Sequence, residues 1–370
     1  MQNLSYWESE FLSTKTDFTI IGAGLVGLNC ALFLKRKFPN ADINILEKGR
    51  FSYGASSRNA GFACFGTVGE LMSDLNHVSE SQVWESVRRR YAGLQLLREQ
   101  VGDAHMDYSA CGGTEVFGSE LEFEEAADQV NLYNEMISEM VGLSNTFQIA
   151  DCPQPFRFNA KAIHNGYEGQ LNPGKLVRWL RRQVLKEGMA IFDGADLQSW
   201  ARSESGYRLD LGPGFPELET YDLIFATNAY TSHLDVAPDI IPYRNQVLLS
   251  SPLPGFPEGT YHYDKGYVYF RNVGERVLIG GARNLDPVSE QTAIHGHNKT
   301  IQSHLIEFAQ QNIHRDFNVE REWSGVIATG KEKNPIIKRL PSGPLLAVRL
   351  GGMGVAISTF VAHEAVTKLT

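Results

Sequence analysis

Residues 17–48 read DFTIIGAGLVGLNCALFLKRKFPNADINILEK. The opening cluster, DFTII, has the apolar pattern of a short buried strand, and Gly22, Gly24 and Gly27 follow it in the spacing G-x-G-x-x-G. Each glycine answers a different steric demand. Gly22 lets the chain turn out of the strand, Gly24 lets a pyrophosphate approach bare backbone, and Gly27 lets the next helix pack closely. That helix is expected from about Leu25 to Lys37, with its dipole and its first amides, at Leu25 and Val26, facing the phosphates. A second strand at 43–46 leads to Glu47, about 20 residues beyond Gly27 and placed to accept from a ribose hydroxyl, with Lys48 beside it. A glycine turn alone is also what an ordinary strand-to-helix joint looks like. Here the strand, the helix and the distant acid agree, so the stretch predicts a bound adenine dinucleotide.

The rest of the chain bounds that expectation. At 370 residues it is longer than a single core usually grows, so two structural units are expected. A formal charge of −9 and a pI near 5.6 argue against a nucleic-acid partner. Arg88, Arg89 and Arg90 form one dense basic run, which reads as solvated helix surface. Cys30, Cys64, Cys111 and Cys152 have no C-x-x-C spacing and no companion histidines in sequence, so no metal site is expected and reduced thiols in a cytoplasm fit best. The start, MQNLSYWESEFLSTKT, lacks a basic and an apolar region, and no apolar run approaches the ~20 residues that span a bilayer. A soluble, unprocessed chain without a membrane span is the expectation. No linker separates the two units, which implies that the chain crosses between them several times.

Along the chain, residues 51–66, FSYGASSRNAGFACFG, read as a loop that presses backbone and small hydroxyls against a planar or phosphorylated group. The alternative is a plain surface loop. A capping pattern, S-x-x-Q from Ser79, opens a helix whose Val83, Val87, Tyr91, Leu94 and Val101 form a packing face. Ser119 and Glu122 open another, acidic, helix towards Met140, with a short strand in CGGTEVF between the two. Asn172-Pro173 starts a helix striped by Leu176, Leu180 and Val184, and Gly188 ends it. Strands follow near 189–192, 197–201 and 207–211, and residues 221–231, YDLIFATNAYT, read as a buried strand running into a second small-residue turn. Between 240 and 281 the chain becomes strand-rich. Alternation of Tyr261, Tyr263, Tyr267 and Tyr269 puts phenols along sheet faces with Arg244 and Arg271 among them. Two readings stand: ordinary packing with wet hydroxyls, or a tyrosine-walled pocket for a cationic or zwitterionic small molecule. A helix near 298–312 precedes WSGVIATGKEKNPIIK. The chain then closes with a strand, the turn Gly351-Gly352-Met353-Gly354 and a terminal helix, whose N-terminus stabilises negative charge such as a reduced flavin carries.

Together the fingerprint with Glu47-Lys48, the GASSRNAG loop, EGQLNPGKLVRWL, ATNAYT and GGMGVAIST resemble the D-amino-acid oxidase superfamily of FAD-dependent oxidoreductases. The similar branch contains glycine oxidase, sarcosine oxidase and the gamma-glutamylputrescine oxidase-like proteins, and SYWE near the start is similar to an extension of the last of these. The resemblance spans essentially the full chain. It implies an α/β fold: a Rossmann-like FAD-binding domain of the glutathione-reductase type with a second, mostly antiparallel β-sheet substrate domain. The FAD domain would be assembled from residues 1–80, 150–235 and 325–370, and the substrate domain from 81–149 and 236–324.

Carried over by position, the resemblance gives Gly22, Gly24, Leu25, Val26 and Gly27 to the pyrophosphate, and Glu47 and Lys48 to the adenosine side. Ser56, Ser57, Arg58, Asn59 and Ala60 are loop contacts, Leu197 meets the adenosine through its backbone, and Thr227 and Asn228 form the second turn. Gly351, Gly352, Met353 and Gly354 lie beside the isoalloxazine. Three departures shape the expectation. The flavin-linking cysteine of sarcosine oxidases would fall near Gly325, and no cysteine follows Cys152, so FAD is expected to be non-covalent. The carboxylate-binding arginine of glycine-oxidase-like members would fall near Ile327, and the lysine near flavin N5 of the sarcosine type near Leu278. Tyr269 does match a pocket tyrosine.

The resemblance therefore implies oxidation of a C–N bond in a small amine or amino acid, with hydride transfer to flavin N5, an imine product, and O2 or another electron acceptor. Tyr269, Arg271, Arg244 and Arg283 are the expected substrate-pocket residues, an arginine fork suiting a carboxylate. An FAD-binding assembly factor without turnover and an NAD-dependent dehydrogenase are the rival expectations, and the late glycine turn argues against the second.

Overall fold

The computed structural model describes residues 5–11, 14–234 and 239–369. Residues 1–4, 12 and 13 of the N-terminal stretch, and the expected boundary at 235–236, lie outside the described residues. Two eight-stranded sheets carry the fold. In the first, Lys15–Ile21 is central, with Ile43–Glu47 parallel on one side and Leu218–Phe225 parallel on the other. Ile20 thus stands level with both Ile45 and Ile224. All three are fully buried, as a sheet covered on both faces requires. Ala190–Asp193 extends one side, and Leu345–Val348 extends the other from the far end of the chain.

The helix Leu25–Lys37 follows the first strand over the expected span. Its residues Leu25 to Leu32 are all buried, because the sheet lies beneath it and the helices Gly354–Thr367 and Pro173–Lys186 pack against it. Three basic residues in its last turn, Lys35, Arg36 and Lys37, complement the negative end of its dipole.

The second sheet runs Val319–Thr329, Ile241–Ser250, Arg276–Gly281, Val268–Val273, Thr260–Tyr263, Gly113–Glu115, Lys161–Asn165, Phe147–Asp151. Every pairing is antiparallel except that of Thr260–Tyr263 with Gly113–Glu115. One face is sealed by the helix Lys299–Asn312, whose Ile301, Leu305 and Phe308 join Tyr261, Phe270 and Ile279 of the sheet in one core. The opposite face looks towards the first sheet. Among the described residues, no helix is long and apolar enough to cross a membrane.

Several expectations are corrected. Residues 51–66 are not loop throughout: Ala55–Arg58 forms a helical turn, and Phe62–Ala63 pairs with Gly169–Gln170. The acidic helix from Ser119 breaks at Asp128-Gln129 into Glu120–Ala127 and Val130–Val141, with Ala126 and Val130 on either side of the break both in the core. Phe147–Asp151, which spans the boundary expected at 150, and Lys161–Asn165, expected in the FAD domain, are neighbours in the second sheet. The helix Glu80–Val101, expected in the substrate unit, packs against Gly354–Thr367 beside the first sheet.

Candidate functional site

Between the two sheets lies a cavity of about 1010 Å³. At one end the strand Ile43–Glu47 delivers a buried carboxylate. Oε2 of Glu47 accepts from the Ala23 amide and Oε1 from the Gly49 amide, each at 2.9 Å. Burial raises this carboxyl above its ordinary range, with the two amide bonds opposing. Lys48, beside it, reaches outward to Asp196 at 2.9 Å. Leu197 lines the same end.

The glycine turn forms the next stretch of wall. A Cβ on Gly27 would come 1.9 Å from the Gly22 carbonyl oxygen, and one on Gly24 would come 2.8 Å from Ser56 Oγ. Gly27 therefore closes the turn without lining the cavity, whereas Gly22, Gly24, Leu25 and Val26 line it. Ser56 Oγ accepts from the Leu25 amide at 2.9 Å, so the helical turn Ala55–Arg58 sits over the start of the longer helix. Arg58 lies on the Tyr53 ring at 4.3 Å and donates to the Ser324 carbonyl at 2.8 Å. Asn59 and Ala60 also face the cavity. Ser57 does not: its hydroxyl donates to the Ser52 carbonyl at 2.5 Å on the far side of the turn.

Farther along, Thr227 Oγ1 lies 2.6 Å from Thr231 Oγ1. Asn228, in the left-handed region at φ 45°, accepts through Oδ1 from the amides of Arg349 and Leu350 at 3.1 and 3.3 Å. It thereby fixes the chain just before Gly351-Gly352-Met353. The helix Gly354–Thr367 then begins without a side-chain cap, so its first amides and positive dipole end meet the cavity at Gly354.

The wall opposite is the second sheet. Val247, Gly280, Tyr269, His262 and Glu115 stand level across five strands and so share one face. Phe62 packs edge-on against both Tyr269 and His262, with ring centroids at 5.4 and 5.2 Å. Burial pushes the Tyr269 phenol up to about 12.

Of the four expected pocket residues, Tyr269 and Arg283 reach this cavity, and Arg271 and Arg244 do not. Arg271 does share a strand face with Tyr269, but its guanidinium is spent on the joint between the sheets. It donates to the carbonyls of Ala60 and Leu171 at 2.5 and 3.1 Å and to Gln170 Oε1 at 2.9 Å. Arg244 binds the fully buried Glu290, with Nη2 to Oε1 at 2.8 Å. Arg283 instead lies over Tyr267 at 5.1 Å, with only Asn245 Oδ1 at 3.3 Å, and among the described residues no carboxylate pairs with it. The four tyrosines do not wall one pocket either. Tyr261 stacks on Phe270 and Tyr263 packs on Phe308, both on the helix-covered face.

Sequence reasoning missed His262, Cys64 and Glu168. Burial pushes Glu168 up to about 8 and His262 down to about 4. In TYHYDKGYVYF the tyrosine alternation conceals that His262, one position off, shares Tyr269's face.

A family model described as "FAD dependent oxidoreductase" matches residues 17–367. None of the curated proteins compared with the chain matches it. Among solved structures, glycine oxidase from Geobacillus kaustophilus superposes with a TM-score of 0.76 at 17% identity, over 94% of this chain and 93% of that one. L-proline dehydrogenase from P. horikoshii gives 0.76 at 15%, over 96% and 93%. Iminodiacetate oxidase from a Chelativorans species gives 0.73 at 17%, over 94% and 93%. At such identities these likenesses speak to the fold.

Proposed function

Because the chain belongs to the FAD-dependent oxidoreductase family, we infer that its cavity holds FAD non-covalently and oxidises a C–N bond of a small amine or amino acid. The observation that carries this reading is the continuity of the cavity from the Glu47 carboxylate, past the glycine turn, to the uncapped helix at Gly354. The residues fit such a cofactor. Gly24 lines the cavity with bare backbone beside Ser56, as a pyrophosphate needs, Glu47 has oxygens for a ribose hydroxyl, and the helix start suits the electron-rich end of a flavin ring. The neighbours named for glycine, proline and iminodiacetate oxidation favour a C–N substrate.

When bound, the flavin supplies the electron sink. The chain's own residues orient and desolvate. Tyr269 and Phe62 form an apolar, water-poor wall, and Arg283 offers its guanidinium to a substrate carboxylate. O2 or another small acceptor closes the cycle. The four cysteines, all free thiols, favour a cytoplasmic protein, and the charge of −9 favours small molecules over nucleic acid as partners.

The test is an anaerobic screen of amines, N-methylated amino acids and D-amino acids for bleaching of the flavin absorption. Bleaching by one class supports the reading. A flavin that dithionite reduces but no C–N compound bleaches would move the protein to a scaffold role.

A further inference from the structure

Three side chains from distant parts of the chain converge at the ring end of the cavity. Cys64 follows Phe62–Ala63, Glu168 precedes Gly169–Gln170, and His262 belongs to Thr260–Tyr263. The Sγ, a carboxylate oxygen and an imidazole nitrogen all lie within 4.8 Å of one another. Cys64 and His262 are each 4% exposed and Glu168 1%. Oε1 of Glu168 accepts from the amides of Phe65 and Gly66 at 2.8 and 3.2 Å, which fixes the carboxylate. Its Oε2 has no hydrogen-bond partner, nor has Nε2 of His262, and these two atoms face each other at 3.7 Å. Arg90, the guanidinium in this region, is committed to Glu70 and the Phe65 carbonyl.

A buried polar atom without a partner is destabilising, so two that face each other call for a common partner. A separation of 3.7 Å is too long for a hydrogen bond, yet it suits two ligands of one metal ion with bonds of about 2.0–2.2 Å. The thiol adds a third, soft ligand, and Met353 Sδ stands 3.3 Å from Cys64 Sγ on the cavity side. Room has been left for the carboxylate, since a Cβ on Gly113 would come 2.2 Å from Glu168 Oε2. A thiolate and a carboxylate together neutralise a divalent cation, and sulfur with imidazole selects zinc over magnesium or calcium.

We propose that Cys64, Glu168 and His262 form a zinc site that ties the turn after Phe62–Ala63 and the turn before Gly169–Gln170 to the second sheet. On binding, the thiol loses its proton to solvent and the sulfur lone pair goes to the metal. No electron is exchanged.

The test uses the purified flavin-loaded protein, equilibrated with zinc, freed of loosely held ions and assayed for zinc by mass spectrometry. Stoichiometric zinc is expected in the wild type. Cys64→Ser and Glu168→Gln should each weaken zinc affinity by at least about tenfold. Cobalt(II) in place of zinc should give tetrahedral bands in the red, where oxidised flavin is transparent. This arm needs no variant to fold. Wild-type protein that retains no zinc and gives no cobalt bands, or zinc retained equally by wild type and both variants, overturns the proposal. Neither readout involves amine turnover, so failure here is separate from failure of the proposed activity.

Discussion

Arg271 Nη1 donates to Gln170 Oε1 at 2.9 Å, and the same guanidinium reaches the carbonyls of Ala60 and Leu171. One planar fork thus satisfies these three acceptors, and the Asn272 carbonyl at 3.3 Å, where the two sheets meet. Burial pulls this guanidinium down to about 10, and its neutral hydrogen-bond partners include no carboxylate. Arg271→Lys keeps the charge but loses the fork. We expect a loss of about 1.5–3 kcal/mol in unfolding stability, with unchanged KM for any amine the enzyme accepts. Denaturant melts and steady-state kinetics check this, and a raised KM at full stability would return Arg271 to the substrate pocket.

Glu47→Gln should weaken FAD binding by about 1.5–3 kcal/mol, since a charge-assisted hydrogen bond to a ribose hydroxyl is lost. The pH dependence follows. Accepting from the ribose favours the charged carboxylate, so FAD affinity is full above the carboxyl's pKa in the free site. It falls as pH drops through that value, which burial holds above the ordinary range. Stability of the FAD-free protein has the opposite sign here. A carboxyl whose folded pKa is raised adds stability at low pH, and loses it as pH rises through the folded pKa. Fluorescence titration of FAD across mildly acid pH should show the affinity slope in wild type and a flatter one in Glu47→Gln. Equal slopes would make Glu47 a turn-holding residue only.

Arg283→Gln separates substrate classes. Amino acids should lose about tenfold to a hundredfold in KM, whereas amines without a carboxylate should be unaffected. FAD content should not change. Equal effects on both classes would mean that Arg283 acts by holding Tyr267 in place.

Acid precipitation should release FAD into the supernatant. Gly325 stands near the position of the flavin-linking cysteine of sarcosine oxidases, and Cys64 is the one cysteine lining the cavity among the described residues. Flavin fluorescence that stays with the washed pellet in wild type but not in Cys64→Ser would show a covalent bond at that thiol.

What was legible in the sequence was local. Gly22, Gly24, Gly27 and Glu47 belong to one strand-turn-helix-strand unit, and their spacing alone dictates their geometry. The closing Gly351-Gly352-Met353 turn was readable for the same reason. Arg271 was not, because its partners at 60, 170 and 171 come from a region whose proximity is set by the sheet joint rather than by spacing. The place of Arg244 is hidden likewise, since nothing near it in sequence announces the buried Glu290. Cys64, Glu168 and His262 lie on three separate segments, and no one-dimensional pattern brings a thiol, an acid and an imidazole together.

The pairing of Leu345 and Leu346 with Ile224 and Phe225 has a consequence for biosynthesis. A ribosome must make 120 residues between these partners before the edge of Leu218–Phe225 can be closed there. Until then Ile224 and Phe225, fully buried in the finished protein, border an open strand edge of the kind that nascent chains mispair. Chains stalled or cleaved before this final strand should therefore depend on chaperones and collect in inclusion bodies, however complete their glycine fingerprint.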